Sequence, residues 1–464
     1  MKIPFMSVRH RYTLALLVIT LLGGAIRLAV LEMTSPQRLL GDEHYYVEVA
    51  GNIAAGRGHL KGDSIRAERA PGHPYLLSLA VGDAPDSDVP DPAVIKRMLR
   101  IQVGLSTLLV FLVGVLGTSF FDSRVGVFSA IVTAVYPTFI GFSHYLWAQP
   151  LYSVLMVSAL ILALRLRAGA HTVLAAFCGL VLGAASLTRE ITIPIAMLIA
   201  AWLFTTAPRE LRMRAFKQGA IMLALAAFVV LPWTYRNYRL FERFVPVSTL
   251  GTFAVHEGNS FREKHWIHIT SSHMRPFRRA YFAIDDEVER MAFAKQENRA
   301  QFDGNWPRLV YRKAIRTFSL MLTPDSFIFK KVSNRRYASL NLARFRVVLI
   351  LTIAAYLAVA AAGAFGIASA NQGNRLLACL VFCVLTAIHF FTSSNSRYRV
   401  PWMPMIIPFA VYAVCEWRNI RARAGWRIWP AAVLVLLLLG WCLPFFLPDA
   451  ISLWKTGRYT DAMR

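Results

Sequence analysis

Eleven apolar runs, at 12–31, 101–120, 125–141, 150–164, 171–187, 191–206, 219–234, 346–368, 376–391, 400–416 and 428–447, leave this chain few ways to fold. Each approaches the roughly 20 residues that a bilayer core requires. Inside hydrocarbon the backbone must satisfy its own hydrogen bonds, which such runs achieve as helices. The predicted fold class is an all-α polytopic membrane protein of about 11 transmembrane helices. Composition agrees, since 56% of residues are hydrophobic and only 17% charged, outside the range of soluble domains.

Charge orients the spans. The short loops carrying Arg124, Arg165 with Arg167, 209–217, Arg375 and 418–427 are basic, whereas those at 142–149, 188–190 and 392–399 hold only Arg189, Arg397 and Arg399. The positive-inside rule places the first set, with the N-terminus, in the cytoplasm. Arg9, His10 and Arg11 precede a first run that is too long for a signal peptide and lacks a small-x-small cleavage pattern, so residues 1–31 read as an uncleaved signal-anchor. Two large loops, about 32–99 and about 236–345, then face outward, each expected to hold interfacial helices. Residues 448–464 form a short outer tail, and no soluble C-terminal domain is expected. Cys178, Cys379, Cys383, Cys415 and Cys442 all fall in or at the ends of apolar runs, which predicts neither disulfides nor a metal cluster.

The second loop carries 20 Lys and Arg against 10 Asp and Glu. That surplus suits lipid phosphates or acidic glycans, and equally a solvated loop beside anionic lipid. No glycine-rich phosphate loop, Gly-x-Ser-x-Gly elbow, His-Glu-x-x-His or 20–50-residue repeat occurs, so nucleotide hydrolysis, serine hydrolysis and zinc proteolysis have no support, and no nucleic-acid partner is expected. His265, His268 and His273 fit no regular metal geometry. Asp83, Asp86, Asp88 and Asp91 are interrupted by Pro85 and Pro90 and followed by Pro92, which breaks the turn a calcium loop needs.

Gly41-Asp42-Glu43-His44-Tyr45-Tyr46 sets two adjacent acids directly after the first apolar run, at a membrane surface. Asp42 can N-cap a helix over 43–55, with Glu43 favoured by the dipole of its first turn. It can also take a proton from an acceptor whose co-substrate is anchored in lipid. Arg189, Arg236, Arg397 and Arg399 lie at the outer ends of predicted spans, where an arginine either meets a lipid phosphate or snorkels to headgroups.

Several segments, in order, resemble the bacterial branch of the GT-C glycosyltransferases, which includes the protein O-mannosyltransferases and the aminoarabinose transferases of lipid A. Asp42-Glu43-His44-Tyr45-Tyr46 resembles the Asp-Glu-x-x-Tyr element of that family, and 50–58 the helix end that follows it. Arg69-Ala70-Pro71-Gly72-His73-Pro74-Tyr75 resembles its Pro-Pro-Gly-Tyr-Pro element. Tyr136-Pro137 to Tyr152, Leu187-Thr188-Arg189, 232–238, 245–249 with Gly258-Asn259, and Arg397-Tyr398-Arg399-Val400-Pro401 complete a series that covers most of the chain.

The resemblance implies a GT-C-type bundle whose two outer loops cover a cavity open sideways to lipid. It implies a polyprenyl-phosphate sugar donor, an envelope glycan, glycolipid or protein as acceptor, and inverting transfer on the outer face of the inner membrane of a bacterium. Asp42 becomes the general base and Glu43 its neighbour that positions or tunes it. Glu68-Arg69 resembles the acid-base pair whose cation meets the donor phosphate in aminoarabinose transferases. Tyr46, His73, Arg189, Arg236, Arg397, Tyr398 and Arg399 join the substrate-binding set. The chain departs from the family at Gln149-Pro150-Leu151-Tyr152, where an acid usually stands. Glutamine keeps an accepting carbonyl but loses the charge, so no cofactor is assigned and a divalent cation carries over only if Glu190 or Glu257 supplies the missing acid. Two other readings remain at this level: a polysaccharide ligase or polymerase such as an O-antigen ligase, with essential cations in the late loop, and a catalytically inactive membrane partner or transporter. The sugar and the acceptor are not legible in the residue pattern.

Overall fold

The computed structural model describes residues 8–34, 39–82, 91–260, 271–302, 306–324, 341–424 and 450–457, with Phe329, Gly440 and 446–448. The described chain is a helical bundle. In order, α1 (Val8–Thr34) is followed by α2 (Asp42–Ala54) and α3 (Gly72–Ser78) of the first loop, then by α4 (Pro92–Phe120), α5 (Ser123–Val135), α6 (Pro137–Phe142), α7 (Gln149–Arg167), α8 (Val173–Thr188), α9 (Thr192–Thr206) and α10 (Arg212–Phe241). The second loop holds α11 (Gly251–Asn259), α12 (Ser271–Phe282), α13 (Glu287–Phe302) and α14 (Trp306–Leu322). Next come α15 (Leu342–Ser369), α16 (Gln372–Phe391), a 3-10 turn at Ser396–Trp402, α17 (Met403–Cys415) and α18 (Trp417–Ala424).

Short polar side chains start these helices where the sequence leaves the apolar runs. Asp91 accepts from the Ala93 amide ahead of α4, Asp122 from Val125 ahead of α5, and Asn371 from Asn374 ahead of α16. Among the described residues six helical stretches are long and apolar enough to cross a bilayer: His10–Met33, Pro92–Phe120, Gln149–Arg167, Arg209–Phe241, Leu342–Ser369 and Gln372–Phe391. α5, α8 and α9 are apolar but shorter.

Two predicted runs differ from continuous spans. The run 125–141 breaks at Tyr136, which is extended (φ −66°, ψ 115°), the conformation that Pro137 favours in the residue before it. The run 400–416 begins in the 3-10 turn, and its α-helix is only the 13 residues of α17. The run 428–447 lies almost wholly outside the described residues, as do Asp83, Asp86, Asp88, His265, His268 and Cys442.

The core runs through α4, α5, α7, α8, α9, α16 and α17, around Leu160, Trp202, Phe409 and their neighbours. A smaller cluster seats the first loop on the bundle, with Val47 and Ala50 of α2 packed among Leu31, Leu77, Met98 and Leu99. Arg27 lies inside the first run yet is fully buried, donating to the carbonyls of Gly23, Thr133 and Ala134 and to Ser106 Oγ, so it ties α1 to the middle of α4 and the end of α5. Its charge is satisfied locally, as an ionisable group in a membrane requires.

α8 meets α10 through Gly179 and Gly183, the small-xxx-small spacing that lets membrane helices approach closely. A Cβ added at Gly183 would lie 2.9 Å from the Ala226 carbonyl oxygen. Gly183→Leu therefore lowers stability by about 1–3 kcal/mol or more through overpacking. Thermal unfolding in detergent checks this, with Gly51→Ala, which has nothing within 4 Å of the added Cβ, as the control that keeps or gains stability, by about 0.5–1 kcal/mol at most.

Candidate functional site

Gly41 precedes α2 at φ 62°, a conformation open to glycine, and makes no side-chain cap. The acids that follow diverge, because successive helical residues point about 100° apart. Glu43 turns inward, fully buried, and accepts the amides of Leu40 (2.9 Å) and Leu146 (2.9 Å), which ties the helix start to the loop before α7. Asp42 turns toward a cavity of about 200 Å³.

Two guanidiniums meet Asp42 there. Arg69 Nη2 lies 3.2 Å from Oδ1, and Arg397 Nη1, from a residue 355 positions away, lies 2.9 Å from Oδ2. Arg69 also approaches Glu68 Oε1 (3.7 Å) and stands over the rings of Tyr45 and Tyr46. Burial works against charge on both arginines, yet Asp42, with Tyr46 and Glu68 around Arg69 and Tyr398 beside Arg397, outweighs it and drives both pKa values up. Both guanidiniums are firmly cationic. Arg397 Nη2 donates to the Tyr398 hydroxyl at 3.3 Å. Burial pushes the Tyr398 phenol up, but Arg397 and the Ser393 contact overcome it, and the net shift is down.

A third cation, Arg189, completes the group, 5.1 Å from the Tyr398 ring centroid and 5.6 Å from that of Tyr152. Tyr46, Glu68, Gln149 and Glu190 also line the cavity. The His389 ring stacks on Tyr398 at 4.6 Å. Gln149 sits at the start of α7 and is 6% exposed. Glu190 accepts from Ser248 Oγ (3.1 Å), and burial raises its pKa. Glu257 is paired with Arg278 at 2.8 Å. Among the described residues no three His, Cys, Asp or Glu side chains cluster, and both Asp42 oxygens face guanidiniums. This donor set does not fit a divalent cation.

Three predicted site residues lie outside the cavity, as Glu43 does. His73 is fully buried beneath Tyr46, ring centroids 4.8 Å apart, and burial lowers its pKa to about 4, so it is a neutral packing group. Arg236 lies over Trp233 (4.3 Å) and donates to the Arg66 carbonyl (3.1 Å) and Asn237 Oδ1, bracing the segment before Arg69. Arg399 lies over Tyr356 (4.0 Å) and donates to the carbonyls of Met321 and Thr323 at the end of α14.

The helices that hold this cavity recur in solved structures. The oligosaccharyltransferase AglB of Archaeoglobus fulgidus, in complex with an inhibitory peptide and a dolichol-phosphate, aligns at TM-score 0.55 and 13% identity over 97% of this chain and 56% of that one. The enzyme from the same organism with Zn and sulfate gives 0.52 at 14% identity, over 96% and 53%. The chain has the GT-C fold. It spans about half the length of that oligosaccharyltransferase. ArnT of Cupriavidus metallidurans, bound to undecaprenyl phosphate, aligns over 91% of this chain and 80% of that one at 14% identity and TM-score 0.41. No family model and no curated protein matches the sequence.

Within this GT-C fold the second loop reaches the cavity through residues the sequence did not single out. Glu287 accepts the amides of Arg66 (2.8 Å) and Ala67 (3.0 Å) and the Thr249 hydroxyl (3.0 Å), while the Thr249 amide donates to the Ala67 carbonyl. One helical turn on, Arg290 Nη1 lies 4.0 Å from Glu68 Oε2. α13 thus holds the segment that carries Arg69. Burial pushes the Glu287 carboxyl up against the pull of its donors.

Lys313 of α14 is buried, 3% exposed, and donates to the Thr392 carbonyl at 2.6 Å in the cavity wall. Burial, aided by Arg316, pushes its ammonium from the ordinary 10.5 down to about 7. A depressed pKa means that the unfolded chain binds the proton more tightly, so stability rises with pH between about 7 and 10.5 and is lost as pH falls through about 7. Lys313→Met is expected to flatten that slope, as read by thermal unfolding across the same interval.

Proposed function

We propose that this chain is a glycosyltransferase that moves a sugar from a polyprenyl-phosphate donor to an envelope glycan, glycolipid or protein acceptor, with inversion, on the outer face of a bacterial inner membrane. The observation that carries this reading is the convergence of Asp42 with Arg69, Arg189 and Arg397 in one cavity of a GT-C bundle. The structural neighbours support it at the level of donor type, since AglB has been solved with a dolichol-phosphate.

The arrangement suits an in-line displacement. The acceptor hydroxyl attacks the anomeric carbon opposite the phosphate and gives its proton to Asp42 as the new glycosidic bond forms. The bond from the anomeric carbon to the phosphate oxygen breaks, and polyprenyl phosphate leaves with the bonding pair. Arg69, Arg189 and Arg397 face the charge that grows on that phosphate, where fixed cations in a partly desolvated site act most strongly. Glu43 positions rather than reacts, by tying the turn that carries Asp42 to the loop before α7.

Recognition of the leaving group tests the reading directly. Native mass spectrometry of the purified protein with polyprenyl phosphate and with the corresponding alcohol should retain the phosphate form selectively, and Arg69→Ala should lose that selectivity. Equal retention of the two lipids overturns the proposal.

A further inference from the structure

A second and larger cavity, about 610 Å³, lies within the other outer loop and plays no part in the chemistry above. It shares a wall with the catalytic cavity. Leu250, Gly251 and Ala254 of the α11 segment line the catalytic side, and His256, Asn259 and Ser260 line the other. From Gly251 to Asn259 the helix rises only about 12 Å. A ligand seated in the larger cavity is therefore within a few sugar rings of Asp42.

Three features of the lining speak to one chemistry. The rings of His256, Phe277 and Phe293 form a layered stack, with centroids 3.5 Å and 5.6 Å apart and planes within 14° and 15°. Such a stack offers an apolar platform of the kind that holds the face of a sugar ring. Around it are side-chain amides with unmade hydrogen bonds. Asn259 is only 4% exposed, and among the described residues its Nδ2 has no acceptor, while Gln301 donates to Ser260 Oγ (3.2 Å) but its Oε1 has no donor there. Buried amide atoms of this kind call for a hydroxyl-rich partner. Finally, Arg308 and Arg312, one turn apart on α14, line the cavity, and among the described residues neither is in an ion pair. The lining includes a single acid, Glu297. A polyprenyl tail has no use for this polarity.

We infer that this cavity seats the acceptor, and that it takes an acidic saccharide whose carboxylate or phosphate meets Arg308 and Arg312 while its ring lies against the open side of the aromatic stack at Phe293. The inference rests on the transferase reading and names the acceptor class of that same site. α11 is then the partition over which the acceptor chain passes to bring its free hydroxyl to Asp42.

The test titrates full-length protein, in nanodiscs of zwitterionic lipid, with a uronic-acid oligosaccharide, its carboxyl-reduced neutral form and a phosphorylated glucosamine disaccharide. Calorimetry and saturation-transfer NMR read the binding. At least one acidic ligand binds wild type and Asp42→Asn alike, and the neutral form binds about tenfold more weakly or worse. Arg312→Gln, a half-buried position that leaves α14 intact, loses about tenfold, and Asn259→Ala serves as a second variant. In transfer assays Arg312→Gln raises the acceptor KM and spares kcat. Equal binding of the neutral form, or no loss in either variant, overturns the inference. Transfer with an unchanged acceptor KM in Arg312→Gln removes the seat but leaves the transferase, whereas saccharide binding without any donor consumption removes the acceptor role together with the transferase reading.

Discussion

Asp42→Asn is expected to lower the turnover number of sugar transfer by about 10²–10⁴-fold, the usual contribution of a positioned general base. Asparagine keeps the shape of the carboxylate, and its one carbonyl oxygen can still accept from Arg69 or Arg397 while its NH2 faces the other, so the fold and the donor site survive. It cannot take the acceptor proton. Removing the negative charge also removes a competitor for those guanidiniums, so polyprenyl phosphate should bind the variant as well as or better than wild type. Rate and lipid binding thus move in opposite directions, a pattern that loss of folding cannot produce. A capping role predicts a different result, about 1 kcal/mol of stability and no change in rate, and Gly41 already occupies the cap position. Steady-state kinetics beside native mass spectrometry separates the two.

Arg397→Ala carries the second-largest effect. This guanidinium touches Asp42 and the Tyr398 hydroxyl at once and lies 5.6 Å from the Trp147 ring centroid. Its loss removes one fixed cation from the leaving phosphate, which in comparable anion-stabilising sites costs about 10²–10³-fold in rate, and it releases Asp42 on one side. Arg397→Lys should rescue little, because a single ammonium cannot span both partners in the fixed geometry of a guanidinium. Arg399→Ala, two residues on, is the contrasting variant. Arg399 bonds to the carbonyls of Met321 and Thr323, so its removal should lower stability by about 0.5–1.5 kcal/mol for each hydrogen bond lost and leave the rate intact. Equal kinetic defects in the two variants would contradict the assignment.

The difference between Arg397 and Arg399 shows where sequence reasoning stops. Composition and the apolar runs carried the all-helical membrane class, because hydrocarbon length is written directly in residue patterns. Which face a polar residue takes is not. Asp42 and Glu43 read as a base and the neighbour that positions or tunes it, but which of them faces the cavity is set by α2, which sends Asp42 into it and Glu43 into two backbone amides. Arg236, His73 and Arg399 carried the same motif-level signal as Arg69 and Arg397, yet their side chains lie outside the lining of the cavity. Pro137 was visible and its effect on the preceding residue was predictable, whereas the 3-10 start of the run at 400–416 was not. Glu287 and Arg290 gave no signal at all. Their i, i+3 spacing places them on one face of α13, but the segment they hold is some 220 residues earlier, and no local pattern encodes a pairing of that range.

The measurement that most directly tests the central claim is mass spectrometry of lipid extracts after purified protein, wild type and Asp42→Asn, is incubated with a panel of polyprenyl-phosphate sugars and envelope acceptors. The account predicts that wild type converts one donor to free polyprenyl phosphate with matching glycosylation of an acceptor, and that Asp42→Asn leaves the donor intact while still binding it. Equal donor consumption by the two proteins would contradict Asp42 as the base, and no consumption by wild type across the panel would contradict the transferase itself.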